Sequence, residues 1–289
     1  MLRSLGRVAG AVFDKRKPED LPTPFGKTQG QGSQSLRGIV LNWNERAAFA
    51  GRTLAASAED QEPVFQLAVT VPKDPQEPRR PDLVLVVRMG GDRKAIEVGV
   101  LIDRLKLSFT SQLTHDITQL ACAFVFDADT PGHYKQMSGD CVQFREQRFA
   151  ADYVKELAGA ASPQHATWTT ALPFPLGLFV LHAGATRSGT LEHLVEPALQ
   201  ADPVWAPRMQ AVEQILLAHE QPTDPVFDKD SADRAKARLT MAGQWRDPGS
   251  SLAQILRRGD PKSPPSVPDA VFASPDASAL VQFLMSAPW

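Results

Sequence analysis

The sequence predicts an α/β domain in which a mostly parallel sheet is flanked by helices. Three continuous apolar runs are typical of strands buried on both faces of such a sheet: Leu83–Val87, 120–126 and Leu176–Leu181. Segments with apolar residues at helical spacing alternate with these runs, at 46–58, 93–105, 142–157 and 191–199. A short strand is predicted at 38–41, and alternation of apolar residues predicts another strand at 64–71.

Composition divides the chain into three parts. Residues 1–35 combine a basic run, several prolines and a Gly/Gln/Ser stretch, so we predict a flexible N-terminal arm. Residues 36–200 hold the α/β core. Residues 201–289 are predicted to form a C-terminal helical extension packed on the core, with helices at 203–218, 231–244, 251–257 and 276–285.

Charge and cysteine content narrow the classes of function. The 289 residues are 43% hydrophobic and 22% charged, with a formal net charge of -2, so no global attraction to nucleic acid is expected. Two cysteines without metal-finger spacing suit a reducing cytoplasm. No apolar run is long enough to predict a membrane span. P-loop, dinucleotide-binding and serine-hydrolase motifs are absent from the sequence, and the six histidines form no helical metal-binding pair.

A pair of aspartates ends the run 120–126. Asp127 and Asp129 are one residue apart, and the period-two alternation of a strand predicts that they share a side of the chain. Two such carboxylates repel each other, and a hard cation such as Mg²⁺ relieves that repulsion. Ligands of open α/β sheets gather at the carboxyl ends of strands, where this pair is expected. The alternative is that Asp127 begins a turn and Asp129 caps the next helix.

A second polar segment follows the strand Leu176–Leu181. Gly189 precedes Thr190, which is predicted to cap the helix 191–199, and Glu192 lies in the first turn of that helix. Backbone N–H groups at such a helix start attract anions. Glu192 has two interpretations that the residues alone leave open: a metal ligand, or a carboxylate stabilised by the helix dipole.

This series of motifs resembles the Toprim fold of topoisomerases, DnaG-type primases and OLD-type (overcoming lysogenisation defect) nucleases. The motifs are the Gly90-Gly91 turn, Asp127-Ala128-Asp129 and Gly189-Thr190-Leu191-Glu192. Over roughly 38–284 the chain is most similar to the stand-alone OLD-like Toprim proteins of bacteria. The resemblance implies that Asp127, Asp129 and Glu192 bind Mg²⁺ or Mn²⁺. It also implies that Lys236, or Arg234, acts near a scissile phosphate; a solvated helix face is the alternative for Lys236.

One position departs from the family pattern. Toprim enzymes carry a catalytic glutamate after the first strand, whereas here the strand 38–41 is followed by Asn42, which cannot take up a proton. Glu45 is the candidate replacement. Two functions therefore stay open: a metal-dependent nuclease acting on DNA or RNA, in phage defence as its relatives suggest, or a catalytically degenerate binding or regulatory subunit. Nucleic acid is one expected partner, and the N-terminal arm is the candidate contact for a protein partner or a second copy.

Overall fold

The structure is a computed structural model that describes the chain in blocks. For three strands it describes the backbone: β1 (Val12–Asp14), β2 (Phe65–Thr70) and β3 (Leu83–Val87). The other described residues are 119–130, 140–152, 162–170, 173–183, 187–219, 232–245, 248, 271–272 and 274–288. The predicted strand 38–41 and the predicted helices 46–58, 93–105 and 251–257 lie outside these residues.

β1, β2 and β3 form an antiparallel sheet in that order. The sequence analysis placed β3 in the mostly parallel sheet, but its described partner is β2. The 71–82 stretch between them carries four prolines and no helical spacing, and a parallel pair requires a longer crossover, so antiparallel pairing fits this connection. β1 falls within the arm 1–35 that was predicted to be flexible, and it pairs with β2 from Val12 to Asp14.

A second, mixed sheet contains β4 (Cys122–Asp127), β5 (Thr167–Thr169) and β6 (Leu176–Leu181), in the order β4-β6-β5. β4 and β6 are parallel, with Asp127 opposite Leu181, while β5 runs antiparallel to β6. β6 is the middle strand and is buried from Leu176 to Val180, as its continuous apolar run predicted. The sequence analysis did not predict β5, which is only three residues long.

Five helices accompany the sheets in the described part of the chain: α1 (Cys141–Asp152), α2 (Leu191–Gln200), α3 (Trp205–His219), α4 (Ala232–Gln244) and α5 (Pro275–Met285). Each overlaps a helix predicted from apolar spacing. The predicted α/β fold is thus confirmed as a small mixed sheet flanked by helices. None of the described helices is both long enough and apolar enough to cross a lipid bilayer.

Side chains pack on both faces of the mixed sheet, but β4 is only partly buried: Phe124 is its one buried residue and Ala123 is exposed, where burial on both faces was predicted. On one face Phe124 and Phe126 pack against Phe149 of α1, with ring centroids 5.0 and 6.0 Å apart. On the other face Val125 and Phe179 pack against Phe283 of α5. Because side chains alternate along β4, Phe124 and Phe126 pack in the apolar layer on one face of the sheet and Val125 packs in the layer on the other face. The carboxyl end of β4 is thereby held rigidly.

Gly177 allows this second layer to close over β6. Trp168 of β5 stacks on Phe283 with ring centroids 4.7 Å apart, directly above the glycine. A Cβ atom at Gly177 would lie 2.6 Å from Trp168 and 2.7 Å from Phe283. Those distances are shorter than real contacts, so the absent side chain makes room for the ring stack.

The helices α2, α3 and α4 pack around an apolar cluster of their own. Its buried members are Val195, Leu199, Trp205, Met209, Val212, Leu239, Ala242 and Val271. The helices on either side of the boundary predicted at residue 200, α2 and α3, both contribute to this cluster. An ion-pair network joins the same helices, and we call it the helix ion-pair cluster: Glu196, Glu213, Arg234 and Arg238.

Candidate functional site

Asp127 occupies the last position of β4, beside the end of β6. The backbone continues the parallel pairing for one more residue, since the Ala128 N–H donates to the Leu181 carbonyl at 2.8 Å. The Asp127 carboxylate accepts a hydrogen bond from the backbone N–H of Leu191, the first residue of α2. The side chain therefore lies between the carboxyl ends of two parallel strands and a helix N-terminus, as open α/β sheets arrange their ligand sites.

Asp129 reaches the same place by a turn. Its backbone adopts a left-handed conformation with φ of 65°, which aspartate tolerates better than most residues do. Its carbonyl accepts the Gly189 N–H at 2.7 Å, and Gly189 itself has φ of 113°. Strand alternation ends at Asp127, so the proximity of Asp127 and Asp129 comes from this turn and not from the period-two pattern that predicted it.

Glu192 lies in the first turn of α2 and is only 9% exposed. Thr190 is the N-cap of that helix, as predicted, and its backbone N–H donates to Nδ1 of His193 at 3.1 Å. Glu192 is near enough to Asp127 to repel its negative charge. Asp127, Asp129 and Glu192, which the sequence selected as metal ligands, are therefore brought together around Asp127.

Arg145 of α1 is a site residue that the sequence analysis missed. It is 7% exposed, forms an ion pair with Asp129, and donates from Nε to the backbone carbonyl of Asp127 at 3.1 Å. Its guanidinium carbon lies 5.7 Å from the centroid of the Phe126 ring. A signal was present in the sequence: Arg145 falls on the buried stripe of α1 with Cys141, Val142 and Phe149, where a charged residue needs a partner. We call the four residues Asp127, Asp129, Glu192 and Arg145 the carboxylate cluster.

The electrostatics of Asp127 reflect this crowding. Burial first, and then the carboxylates of Glu192 and Asp129, raise the pKa of Asp127 to about 6 against the opposing effects of Arg145 and the Leu191 N–H. Like charges close together are the second cause after desolvation. The cluster sets three carboxylates against one guanidinium, which leaves an excess of two negative charges when all are ionised.

Two histidines lie nearby but are held by the fold. His165 accepts the Val180 N–H on Nδ1 at 3.0 Å, and its own backbone N–H donates to Glu146 at 2.6 Å. Burial first, and then the adjacent His182, with its ring centroid 5.2 Å away, lower the pKa of His165 to about 4. His165 is thus neutral at physiological pH and acts as an anchor between β5 and β6.

The remaining predicted site residues are not brought to the cluster by any described contact. Lys236 is on the exposed side of α4, two residues from both Arg234 and Arg238, whose side chains face α2 and α3. A separation of two residues turns a side chain by about 200° around a helix, which places Lys236 on the opposite face. Glu45, with Asn42, lies outside the described residues.

Metal ligation was also predicted for this place. Within the residues that the structure describes, no three His, Cys, Asp or Glu side chains converge as a complete metal-binding group. Asp129 is held by Arg145, so Asp127 and Glu192 are the two carboxylates of the cluster that no described arginine or lysine pairs within 4 Å.

No protein-family model, curated protein or solved structure matches this chain. The likeness to Toprim proteins therefore rests on the motifs in the sequence. The geometry of the carboxylate cluster is the separate basis on which a function is argued.

Proposed function

We propose that this chain is a Toprim-like phosphodiester hydrolase that uses a divalent metal ion to cut DNA or RNA. The observation that carries the proposal is the charge imbalance of the carboxylate cluster at the carboxyl end of β4. Three carboxylates meet one guanidinium there, beside the N-terminus of α2. Among the described residues, no arginine or lysine compensates two of these negative charges, and a divalent cation would neutralise both.

The donor set fits Mg²⁺ or Mn²⁺ in kind. Both ions prefer carboxylate oxygens, and Mg²⁺ is commonly held by one or two carboxylates while water and substrate phosphate complete its shell. Asp127 and Glu192 would hold the ion, and Asp129 would join them if it left Arg145. Burial and the neighbouring carboxylates raise the pKa of Asp127, and a bound cation would oppose that shift.

Different groups of the chain would then position the Asp127 carboxylate, bind the phosphate and transfer the proton. The Leu191 N–H fixes the orientation of the Asp127 carboxylate, and the two rigid layers around β4 keep that carboxylate in place. The first turn of α2 presents backbone N–H groups that favour a phosphate. A bound ion supplies a Lewis acid that activates water and stabilises charge on the phosphoryl group. Glu45 remains the proposed general base, and Lys236 remains a proposed phosphate contact.

Plasmid cleavage in Mn²⁺ or Mg²⁺ tests the proposal. We expect the wild-type chain to nick or degrade DNA or RNA, and Asp127→Asn to lower the rate by at least about a hundredfold, because the loss of a ligand removes the Lewis acid. The amide keeps the shape of the side chain and its ability to accept the Leu191 N–H. Asp152→Asn is the matched control, since Asp152 is a partly exposed aspartate at the far end of α1.

The runner-up is a catalytically degenerate Toprim protein that acts as a binding or regulatory subunit. Two observations favour it: Arg145 already supplies a cation to Asp129, and Asn42 stands where the family has glutamate. Absence of hydrolysis with every divalent ion, together with retained binding of nucleic acid or a protein partner, would replace the first proposal with this one. Activity that survives Asp127→Asn would show a contaminating nuclease. A cytoplasmic setting belongs to both proposals, as the low cysteine content suggests.

A further inference from the structure

Arg145 makes a contact that a metal ion would also make. Its guanidinium pairs with the Asp129 carboxylate at a position where both side chains are largely buried, with 8% and 17% exposure. Arginine is charged at every physiological pH, so this cation is permanent. A carboxylate bound by a permanent internal cation is a poor ligand for a second cation, because the two cations repel and share the same oxygens.

Arg145 also has contacts that persist without Asp129. Its Nε donates to the backbone carbonyl of Asp127, and its guanidinium faces the Phe126 ring. A carbonyl oxygen and an aromatic ring both stabilise a guanidinium. If the Asp129 contact is lost, the Arg145 guanidinium is therefore still stabilised by the Asp127 carbonyl and the Phe126 ring.

We propose that Arg145 is a built-in competitor at the carboxylate site, which a divalent ion must displace from Asp129 in order to bind with all three carboxylates. This inference rests on the proposed function, because it concerns the same site. Arg145 then sets how much free Mg²⁺ or Mn²⁺ the protein needs, and it is a regulating residue and not a ligand. Once displaced it stays beside Asp127, where a positive charge suits a phosphate group.

Titration of Mn²⁺ by calorimetry or electron paramagnetic resonance tests this without any activity assay. Arg145→Gln is expected to bind Mn²⁺ about tenfold more tightly than the wild type, because it removes a like charge a few ångströms away and releases Asp129. Arg148→Gln is the control on the same helix: Arg148 is 43% exposed and pairs with Asp152. Its affinity for Mn²⁺ should equal that of the wild type.

A second pair of variants separates competition from positioning. Arg145→Lys keeps the positive charge, so its affinity should stay near that of the wild type if charge competition is the cause. In an Asp129→Asn background the gain from Arg145→Gln should shrink, since the contested carboxylate is already gone. Equal gains in both backgrounds would contradict competition for Asp129.

The outcomes distinguish this inference from the proposed function. Tighter binding by Arg145→Gln alone supports the inference. Equal or weaker binding by Arg145→Gln, with a wild type that does bind Mn²⁺, overturns it and leaves the metal site standing. Absence of binding by every variant overturns both. If Arg145→Gln does not fold, the Nε–H signal of Arg145 in proton–nitrogen NMR of the wild type decides: a shift and faster exchange with water on Mg²⁺ saturation support displacement, and an unchanged signal contradicts it.

Discussion

Two buried groups of arginine and carboxylate side chains lie one helical turn apart on α2, and their charges are balanced differently. Glu192 belongs to the carboxylate cluster, and Glu196 belongs to the helix ion-pair cluster. The first cluster has three carboxylates and one arginine, whereas the second has two carboxylates and two arginines. Both groups pair arginine with carboxylate side chains. The number of carboxylates for each arginine is therefore the property that distinguishes them.

The helix ion-pair cluster has equal numbers of arginines and carboxylates among the described residues. Arg238 contacts Glu196 at 2.7 Å and Glu213 at 3.2 Å, and the fully buried Arg234 contacts Glu213 at 2.8 Å. Burial would raise the pKa of Glu213, but the two arginines outweigh it and lower that pKa. Glu196 is more deeply buried, and there burial outweighs Arg238 and raises the pKa. This cluster links three helices and calls for no added ion.

Among the described residues, the carboxylate cluster lacks that balance of charge, and it lies where the fold presents strand ends and a helix N-terminus. The comparison teaches that a buried arginine is not by itself a sign of either structure or function. The number of carboxylates for each arginine is the informative quantity, because only an excess of negative charge leaves room for a cation that the chain does not supply.

Breaking the helix ion-pair cluster should cause the largest change in the free energy of unfolding. Arg238→Met leaves the buried Glu196 carboxylate without its arginine, so we expect a loss of about 3 kcal/mol in the free energy of unfolding. Urea denaturation followed by circular dichroism measures it. Glu196→Leu added to Arg238→Met should return the protein to within about 1.5 kcal/mol of the wild type, since an apolar pair replaces an ion pair at little net cost. A double variant as unstable as the single one would show that packing, and not charge, causes the loss.

Neutralising Asp127 in the carboxylate cluster should raise the free energy of unfolding, whereas Arg238→Met should lower it. The pKa of Asp127 is about 6 in the folded protein against an ordinary value of 3.8, so ionised Asp127 destabilises the fold by roughly 2 to 3 kcal/mol above pH 6. The folded state binds this proton more tightly than the unfolded chain, and the destabilisation disappears as the pH falls from 6 towards 4. Without metal, Asp127→Asn should therefore be more stable than the wild type at pH 7.

Denaturant titrations at several pH values check this sign. The stability difference between Asp127→Asn and the wild type should shrink from pH 7 to pH 4, and saturating Mg²⁺ should shrink it at pH 7. A difference that does not vary with pH would mean that Asp127 is already neutralised by a group outside the described residues. Asp152→Asn is the control for the substitution itself, and at pH 7 it should change the free energy of unfolding by at most about 1 kcal/mol, because water screens its pair with Arg148.

Breaking an exposed arginine–aspartate pair should cause the smallest change in the free energy of unfolding. Arg187 contacts Asp140 at 2.7 Å just outside the carboxylate cluster, with side chains 42% and 34% exposed. Water screens such pairs, so Arg187→Gln should change the free energy of unfolding by at most about 1 kcal/mol. The same urea titration measures it. A loss as large as that of Arg238→Met would show that exposure does not separate the two kinds of ion pair in this protein.

Local patterns in the sequence were sufficient for most elements and for part of the site. Apolar runs and helical spacing predicted β2, β3, β4 and β6 and the five described helices, because burial on one or two faces imposes a period that any window of the sequence displays. The same local view selected Asp127 and Asp129, since carboxylates at the end of a buried strand are visible without knowledge of their partners. The resemblance to Toprim proteins added Glu192.

Only the tertiary structure decided which elements meet. The antiparallel partner of β3, the addition of β5 to β6, and the arrival of Arg145 from α1 beside Asp129 all join residues that are distant in sequence or too few to form a pattern. Arg145 and Arg238 look alike in the sequence, since each is one of two arginines on its helix. Their different roles depend on how many carboxylates surround each one, and that count is a property of packing between elements, which no local period encodes.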